Sequence, residues 1–327
     1  MKENDIRPKE LMENYILLSE QDITTCFNSG VKVDFNCVAC GHHHVRKEFD
    51  KCGFSYSTCK NCSTLFLTPR PEFSEFTHFY SNSKSAKYWA EVFFPAVAEK
   101  RRDTIFKPRV EKLMQLCQAA NAEMKNVIEV GSGYGIFLEE WTKVNPDSEV
   151  IAIEPSENLA QECRNKGFKV IESMAEDVEG YDGHADLVVC FEVLEHVYEP
   201  LEFIKTLTKF VKPGGHLFIS TLSASGFDIQ TLWDKSNSIS PPHHINFLSI
   251  EGFQMLFERA GLHSIEITTP GVLDVDIVKN KLLDLGPDFA VDKFTRTIVD
   301  DSELSKRFQT FLIENKLSSH AWVLGKK

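Results

Sequence analysis

From residue 126 onward, short apolar runs alternate with segments in which apolar residues recur every three or four positions. The runs "NVIEV", "EVIAIEP", "FKVIES", "ADLVVCF" and "HLFISTL" are typical of buried strands, and amphipathic segments such as "IFLEEWTKV" separate them. Two more strand-like runs, "SIEITTP" and "HAWVLGKK", follow. Apolar strands that alternate with helices form parallel sheets covered on both faces. The pattern therefore predicts an α/β, doubly wound, Rossmann-like fold with a seven-stranded sheet.

The first 120 residues follow other patterns and predict three smaller units. Residues 1–35 carry apolar residues at helical spacing and predict a helical leader. Residues 36–70 are rich in cysteine and predict a small metal-bound module, and residues 71–120 predict helices that form a lid or linker. The α/β domain then covers residues 121–327, with a helical insertion at about 270–315.

Composition narrows the class of protein. The 327 residues are 42% hydrophobic and 26% charged, an ordinary globular mixture. The longest apolar runs are too short to cross a bilayer, and the charged start "MKENDIRPKE" lacks the apolar stretch of a signal peptide. We therefore expect a cytoplasmic protein without a membrane partner. The net charge of −12 opposes binding to nucleic acid. No oligomeric state is predicted.

Five of the nine cysteines lie within 26 residues, and four of these form two Cys-x2-Cys pairs. Cys37 and Cys40 are separated from Cys59 and Cys62 by eighteen residues, a spacing typical of zinc ribbons. Four thiolates close the coordination sphere, so the predicted zinc is structural. The alternative is that one of four nearby side chains replaces a thiolate: His42, His43, His44 or Cys52.

A glycine loop, "VIEVGSGYGIF", joins the first strand of the α/β domain to a helix. Gly131, Gly133 and Gly135 allow a tight turn and a close approach to a ligand. Their spacing is not the Gly-x-Gly-x-x-Gly of dinucleotide sites, and Glu129 just before the loop suits an ammonium better than a pyrophosphate. Glu154 ends the second strand, where an acid can bind the hydroxyls of a ribose.

The segments "EVGSGYG", "IEPS", "ESMAED", "CFEVLEHVYEP" and "VKPGGHLFIS" together resemble class I S-adenosylmethionine-dependent methyltransferases. The resemblance covers about residues 120–265 and the last strand, and within this family the chain is most similar to the ubiquinone-type O-methyltransferases. The cysteine module resembles the zinc ribbon of methyltransferases that act on deoxysugars and bacterial surface polysaccharides.

This resemblance implies a cofactor site for S-adenosylmethionine. The three glycines pack under the methionine portion with Glu129 nearby, and Glu154 holds the ribose. Phe191 lines the cofactor, and Tyr80 closes over the donor. Three residues flank the adenine: Met174, Ala175 and Glu176.

The segment "EVLEH" follows the fourth strand and places Glu192, Glu195 and His196 where the methyl acceptor arrives. His243 and His244, in "SPPHHINFLS", lie on a loop that can fold over the same place. In certain small-RNA 2′-O-methyltransferases and some quinone O-methyltransferases, a Glu-x-x-Glu-His segment binds a divalent metal, and the RNA enzymes add a later histidine. Glu192, Glu195, His196 and one of His243 and His244 match that pattern. A divalent metal at Glu192, Glu195 and His196 is therefore one interpretation. A proton-transfer or acceptor-binding role for the histidines is another, and a purely structural role is the third.

The acceptor we expect is a small molecule, namely a hydroxyl of a nucleotide-linked sugar for a surface polysaccharide. The alternatives are a metal-dependent RNA 2′-O-methyltransferase and a non-catalytic zinc-ribbon binding protein. One basic segment, "EKRRDTIFKPR", is either a solvated helix face or a contact for phosphate or carboxylate.

Overall fold

A computed structural model describes residues 2–286 and 289–327. It contains thirteen strands in these residues: β1 Lys32–Val33, β2 Val45–Lys51, β3 Phe54–Cys59, β4 Leu65–Leu67, β5 Arg70–Pro71, β6 Asn126–Val130, β7 Glu149–Ile153, β8 Lys169–Ile171, β9 Ala185–Phe191, β10 Val211–Leu222, β11 Asn246–Phe247, β12 His263–Thr268 and β13 His320–Lys326.

The same residues contain fourteen α-helices: α1 Glu3–Ile6, α2 Lys9–Cys26, α3 Phe73–Asn82, α4 Lys84–Tyr88, α5 Phe94–Arg101, α6 Lys107–Ala119, α7 Ile136–Val144, α8 Glu157–Asn165, α9 Pro200–Phe210, α10 Phe227–Leu232, α11 Ile250–Arg259, α12 Asp274–Leu285, α13 Lys293–Asp300 and α14 Ser302–Glu314. Two π-helical turns, Trp89–Phe93 and Arg102–Phe106, interrupt the run from α4 to α6. None of the described helices is both long enough and apolar enough to span a bilayer.

The large sheet has seven strands in the order β12-β13-β10-β9-β6-β7-β8, which confirms the predicted doubly wound architecture. The strands from β10 to β8 in this order are parallel, whereas β13 is antiparallel to both of its neighbours. Strand β10 begins earlier than the run "HLFISTL" predicts, because Val211 pairs with Ala185 before an irregularity that ends at His216.

Both faces of this sheet are buried, as expected for continuous apolar strands. In β9, Val188 and Cys190 pack in a cluster with α9 and α11. The alternate residues Leu187 and Val189 pack in a second cluster with α6 and α7. Because side chains of a strand alternate between faces, one sheet separates two layers of helices.

A second, four-stranded sheet has the order β11-β4-β3-β2. Strands β2, β3 and β4 come from the cysteine module, but β11 comes from the loop after β10, about 180 residues later in the chain. Helix α11 packs closely on the same module, since a Cβ added at Gly252 would lie 2.3 Å from Thr64 Oγ1. The cysteine module and the α/β domain are therefore joined by shared hydrogen bonds and a shared core.

The helices near the C-terminus carry a buried pair of carboxyl groups. Asp274 accepts hydrogen bonds from Ser318 Oγ at 2.6 Å, Gln309 Nε2 at 2.8 Å and the Ser319 amide at 2.7 Å. Both carboxyl oxygens of Asp228 are buried without a hydrogen-bond partner among the described residues. Burial and the charge of Asp274 raise the pKa of Asp228 from 3.8 to about 8. The native state therefore holds a proton here that the unfolded chain releases at neutral pH.

We expect Asp228→Asn to stabilise the protein above neutral pH. The raised native pKa makes the wild-type free energy of unfolding fall as the pH rises from about 4 to about 8, and asparagine has no such titration. The expected gain is about 1–3 kcal/mol at pH 9 and smaller at pH 5, measured by urea unfolding. Asp147→Asn, at an exposed turn, is the control. Equal effects of Asp228→Asn at both pH values would contradict the assignment.

Candidate active site

The glycine loop lies at the carboxyl end of β6, where parallel sheets bind their ligands. Gly131, Gly133 and Gly135 all have positive φ, at 74°, 54° and 66°. A Cβ at Gly131 would also lie 2.8 Å from Val193 Cγ2, and one at Gly135 would lie 3.0 Å from Cys163 Sγ. The loop is therefore restricted to glycine by both conformation and space at these two positions.

Two buried acids flank this loop. Glu154 accepts hydrogen bonds from the Gly133 amide at 2.8 Å and the Ser156 amide at 3.0 Å, while burial raises its pKa. Glu129 is buried, and its Oε2 has no partner among the described residues. Burial raises the pKa of Glu129, and the nearby charge of Arg109 opposes that shift. An unpartnered buried carboxyl oxygen can receive a donor group such as an ammonium.

The other residues expected around the cofactor lie at neighbouring strand ends. Phe191 ends β9 and packs on Phe137, with ring centroids 4.5 Å apart. Ala175 is buried at the start of a 3₁₀ turn that also contains Glu176, whereas Met174 just before it is 54% exposed. An exposed methionine beside a buried alanine leaves an apolar surface open to a flat ligand.

The "EVLEH" segment is not part of a long helix. Glu192 has a φ of 53°, Leu194–His196 form one 3₁₀ turn, and α9 begins only at Pro200. The sharp turn after β9 sends the side chains of Glu192 and Glu195 in different directions.

Glu192 faces a group of donors from other elements. Its Oε1 accepts hydrogen bonds from Ser220 Oγ at 2.6 Å, His320 Nε2 at 2.7 Å and Arg109 Nη2 at 3.1 Å. Burial raises the pKa of Glu192, but the charges and hydrogen bonds of His320 and Arg109 outweigh burial and lower it overall. Glu192 is therefore an ionised carboxylate.

Glu195, His196 and His244 form a second group. Each offers a ligand atom, and these atoms all lie within 4.8 Å of one another. Burial and the charge of Glu192 raise the pKa of Glu195 to about 8. Burial lowers the pKa of His196, and burial together with the charge of His196 lowers the pKa of His244 to about 3.

Backbone carbonyls orient both of these imidazoles. His196 Nδ1 lies 2.8 Å from the His243 carbonyl oxygen, and His244 Nδ1 lies 2.7 Å from that of Ser238. Since a carbonyl only accepts, each Nδ1 carries the proton, and each Nε2 carries a lone pair. Hydrogen bonds of this kind orient metal-binding histidines, so this group fits a divalent cation.

This group contains Glu195, His196 and one of the two later histidines that the pattern allowed, His244. Glu192 lies outside the group because Arg109, Ser220 and His320 hold its carboxylate. Arg109, Ser220 and His320 are distant in sequence from "EVLEH". Only Arg109 had a sequence signal, since it belongs to the basic segment "EKRRDTIFKPR".

His243 points away from that group, toward the N-terminal helices. Its Nε2 lies 2.8 Å from Ser85 Oγ, which donates to Asp22 Oδ2 at 2.6 Å. The Asp22 carboxylate also accepts from Ser83 Oγ and from two amides at the start of α4. Because the Ser85 proton goes to Asp22, His243 Nε2 donates to Ser85 and its Nδ1 has the lone pair. No sequence pattern indicated Asp22 or Ser85.

Tyr80 contacts the same region through its hydroxyl, which donates to the His196 carbonyl oxygen at 2.7 Å. The side chain therefore links α3 to the "EVLEH" turn. Its ring is partly exposed.

The four predicted zinc ligands come together. Cys37 Sγ lies 3.5 Å from Cys62 Sγ, and Cys40 Sγ lies 3.6 Å from Cys59 Sγ, with all four sulfurs within 4.8 Å. Four thiols at these distances fit one tetrahedral zinc. The alternative ligands lie elsewhere: His42, His43 and His44 pack on one another, and Cys52 is exposed in the turn between β2 and β3.

The cysteine module also supports the histidine loop. Strand β4 pairs with β11, and the Leu67 amide donates to the Ile245 carbonyl at 2.9 Å. Tyr56 Oη donates to the His244 carbonyl at 2.6 Å. The fully buried Arg70 donates to Asn246 Oδ1 and to the Tyr198 carbonyl. The module thus holds His244 beside Glu195.

Residues 98–267, just over half of the chain, match the family model of a methyltransferase domain. The ubiquinone biosynthesis O-methyltransferase of Aliivibrio fischeri (strain ATCC 700601 / ES114) is 40% identical over 106 residues, which are 30% of this chain and 44% of that protein. The protein of the same name from Methylococcus capsulatus is 35% identical over 123 residues, which are 34% of this chain and 50% of that protein.

The mitochondrial ubiquinone biosynthesis O-methyltransferase of Dictyostelium discoideum is 34% identical over 114 residues, which are 30% of this chain and 35% of that protein. The chain thus spans half or less of the length of these curated relatives. Among solved structures, the plantazolicin methyltransferase BpumL in complex with SAH and a monoazolic desmethylPZN analog has a TM-score of 0.50 at 14% identity. The match covers 77% of this chain and 94% of that one. The likeness to this structure is one of fold.

Proposed function

Because this chain belongs to the methyltransferase domain family, we propose that it transfers a methyl group from S-adenosylmethionine to a hydroxyl of a small molecule. The observation that carries the proposal is the shared position of two groups of residues. The glycine loop with its two acids and the Glu195, His196 and His244 group lie at the same, carboxyl-terminal edge of one sheet.

The donor site follows from the chemistry of its residues. The unpartnered oxygen of Glu129 receives the ammonium of the methionine portion, which packs over Gly131, Gly133 and Gly135. The Glu154 carboxylate accepts hydrogen bonds from the ribose hydroxyls, which replace the hydrogen bonds that the Gly133 and Ser156 amides donate to it in this structure. The remaining residues at the adenine and the donor are Met174, Ala175, Glu176, Phe191 and Tyr80.

In the reaction, an acceptor oxygen attacks the methyl carbon as the bond from that carbon to sulfur breaks. S-adenosylhomocysteine leaves, and the hydroxyl proton must pass to a base. Alcohols are weak nucleophiles at neutral pH, so the acceptor needs this help. The lone pair of His243 at Nδ1 is one base that the geometry offers. The lone pairs of His196 and His244 at Nε2 are available as bases only when these histidines bind no cation.

Glu195, His196 and His244 would hold a divalent cation, which lowers the pKa of a bound hydroxyl. Glu192 orients Arg109 and His320 at the same mouth through its three hydrogen bonds. Asp22 and Ser85 keep His243 in one tautomer and are positioning residues. Cys37, Cys40, Cys59 and Cys62 would hold a structural zinc that fixes the histidine loop.

For the acceptor we propose a hydroxyl of a nucleotide-linked sugar. The support is the resemblance of the cysteine module to those of sugar-modifying methyltransferases. The net charge of −12 favours a small molecule over RNA.

The test is transfer of labelled methyl from S-adenosylmethionine to a panel of nucleotide sugars, with and without a chelator too weak to remove a four-thiolate zinc. We expect labelled sugar without chelator, and restoration by added divalent cation after chelation. Labelled sugar that is insensitive to chelation would indicate a histidine base without a cation. Absence of labelled sugar, with transfer to a quinone precursor or RNA instead, would contradict the sugar acceptor.

A further inference from the structure

The basic segment contains two arginines that face inward, Arg101 and Arg109. They are eight residues apart, which is more than two turns of an α-helix. The π-helical turn Arg102–Phe106 lies between them and takes more residues per turn. This brings Arg101 and Arg109 back to nearly the same face of the helical rod. Arg102, by contrast, faces Glu139 and Glu140 at 2.8 and 2.7 Å.

Arg109 reaches the mouth of the active site. Its Nη2 donates to Glu192 and its Cζ lies 4.7 Å from the centre of the Phe191 ring. Arg101 lies on two aromatic rings, 5.3 Å from the centre of Phe94 and 5.8 Å from that of Trp89. The Phe94 ring stacks in turn on Tyr134 of the glycine loop, with centroids 5.0 Å apart. Both guanidinium groups therefore border the space beside the donor site.

Each of these two guanidinium groups has a buried N–H donor that makes no hydrogen bond to the described residues. The Nε of Arg101 and the Nε of Arg109 are both buried without a hydrogen-bond partner among the described residues. Arg101 also has no carboxylate within ion-pair distance in the described part of the chain, although Arg102 next to it has three. A buried cation without a partner is costly, and a bound anion offsets that cost.

The local charge is positive as well. Burial, followed by the charges of Arg7 and Arg109, lowers the pKa of Arg101 to about 10, so it remains charged at neutral pH. Helix α1, which ends just before Arg7, packs against α5, which ends at Arg101, so the guanidinium groups of Arg7, Arg101 and Arg109 lie in one region. Among the described residues, Glu192 is the one acid that forms an ion pair with any of these arginines, and its partner is Arg109.

We propose that Arg101 and Arg7 bind an oxyanion, phosphate or carboxylate, of the methyl acceptor. This rests on the proposed function and limits the acceptor to an anionic molecule. Guanidinium groups bind phosphate and carboxylate through two parallel hydrogen bonds, and the Nε donor of Arg101 has no partner among the described residues. The other source of such an oxyanion is the carboxylate of the methyl donor, and the experiment separates the two.

The test is calorimetric titration of the full-length protein, saturated with S-adenosylhomocysteine and without added divalent cation, with inorganic pyrophosphate. We expect wild-type protein to bind pyrophosphate, and Arg101→Gln to weaken that binding about 10-fold or more. Arg7→Gln is a second variant should Arg101→Gln fold poorly. Lys100→Gln removes an equal charge from an exposed neighbouring position and should leave binding unchanged.

The affinity for S-adenosylhomocysteine is the second measurement on each variant. It should be unchanged in Arg101→Gln and Arg7→Gln. A loss of this affinity with pyrophosphate binding intact would assign Arg101 to the donor carboxylate and overturn the proposal. Wild-type protein that transfers methyl groups but does not bind pyrophosphate would overturn it too, while the proposed function would stand. Failure to bind S-adenosylhomocysteine at all would contradict both.

Discussion

Glu195→Gln is expected to lower kcat by about 10²–10⁴-fold, the range for loss of a group that assists proton removal in the transition state. Glu195 is the one carboxylate in the group with His196 and His244. Glutamine keeps the shape and can still accept the hydrogen bond from Thr221 Oγ1, which now spans 2.7 Å. Because its pKa is raised to about 8, Glu195 becomes charged at neutral pH only when it binds a cation. The change therefore removes the charge that a bound cation would induce and leaves the packing.

Two measurements accompany the rate. Calorimetry with Mn²⁺ should show binding to wild-type protein and its loss in Glu195→Gln, while the affinity for S-adenosylhomocysteine stays the same. Glu199→Gln, exposed in the same segment, is the matched control and should behave as wild type. A Glu195→Gln protein with normal kcat and normal Mn²⁺ binding would mean that the group is structural.

Cys59→Ser is expected to abolish both zinc binding and activity. Four thiolates contribute to one site, and structural zinc stabilises such small modules by about 10–16 kcal/mol. Without the metal, β3 and β4 lose their anchor, and β11 loses the strand with which it pairs. His244 then loses its fixed place beside Glu195. We expect one zinc per wild-type chain by elemental analysis, and activity below about 1% of wild type in the variant.

Cys52→Ser is the matched control, because this thiol is exposed in the hairpin turn of the same module. It should keep the zinc, the activity and the urea midpoint of wild type. A Cys59→Ser protein that still binds one zinc tightly would mean that another residue completes the site, and would revive the histidine alternative.

Local patterns account for what was predictable. The seven strands, the glycine loop and the paired cysteines each have a signature within a few residues, and each is present in the fold. The direction in which individual side chains point was harder to predict from the sequence. Glu192 and Glu195 lie three residues apart, but a positive φ at Glu192 sends its carboxylate toward Arg109 instead of the histidines.

Contacts between distant segments had no sequence signal at all. Asp22 and Ser85 are 63 residues apart, and Ser85 is hydrogen-bonded to both Asp22 and His243, which joins three segments. Arg70 and Asn246 are 176 residues apart. Serine, aspartate and asparagine are common in turns and caps, so nothing in their own neighbourhoods distinguishes these from ordinary loop residues.

The pairing of β4 with β11 has a consequence for synthesis of the chain. The first three strands of this sheet leave the ribosome well before residues 246–247, about 180 residues later. At usual translation rates the delay is roughly 10–40 s. During that time the β4 edge has unpaired amides and carbonyls, a state that favours aggregation. In the nascent chain this edge is therefore covered by its own partner strand only after β11 has been made.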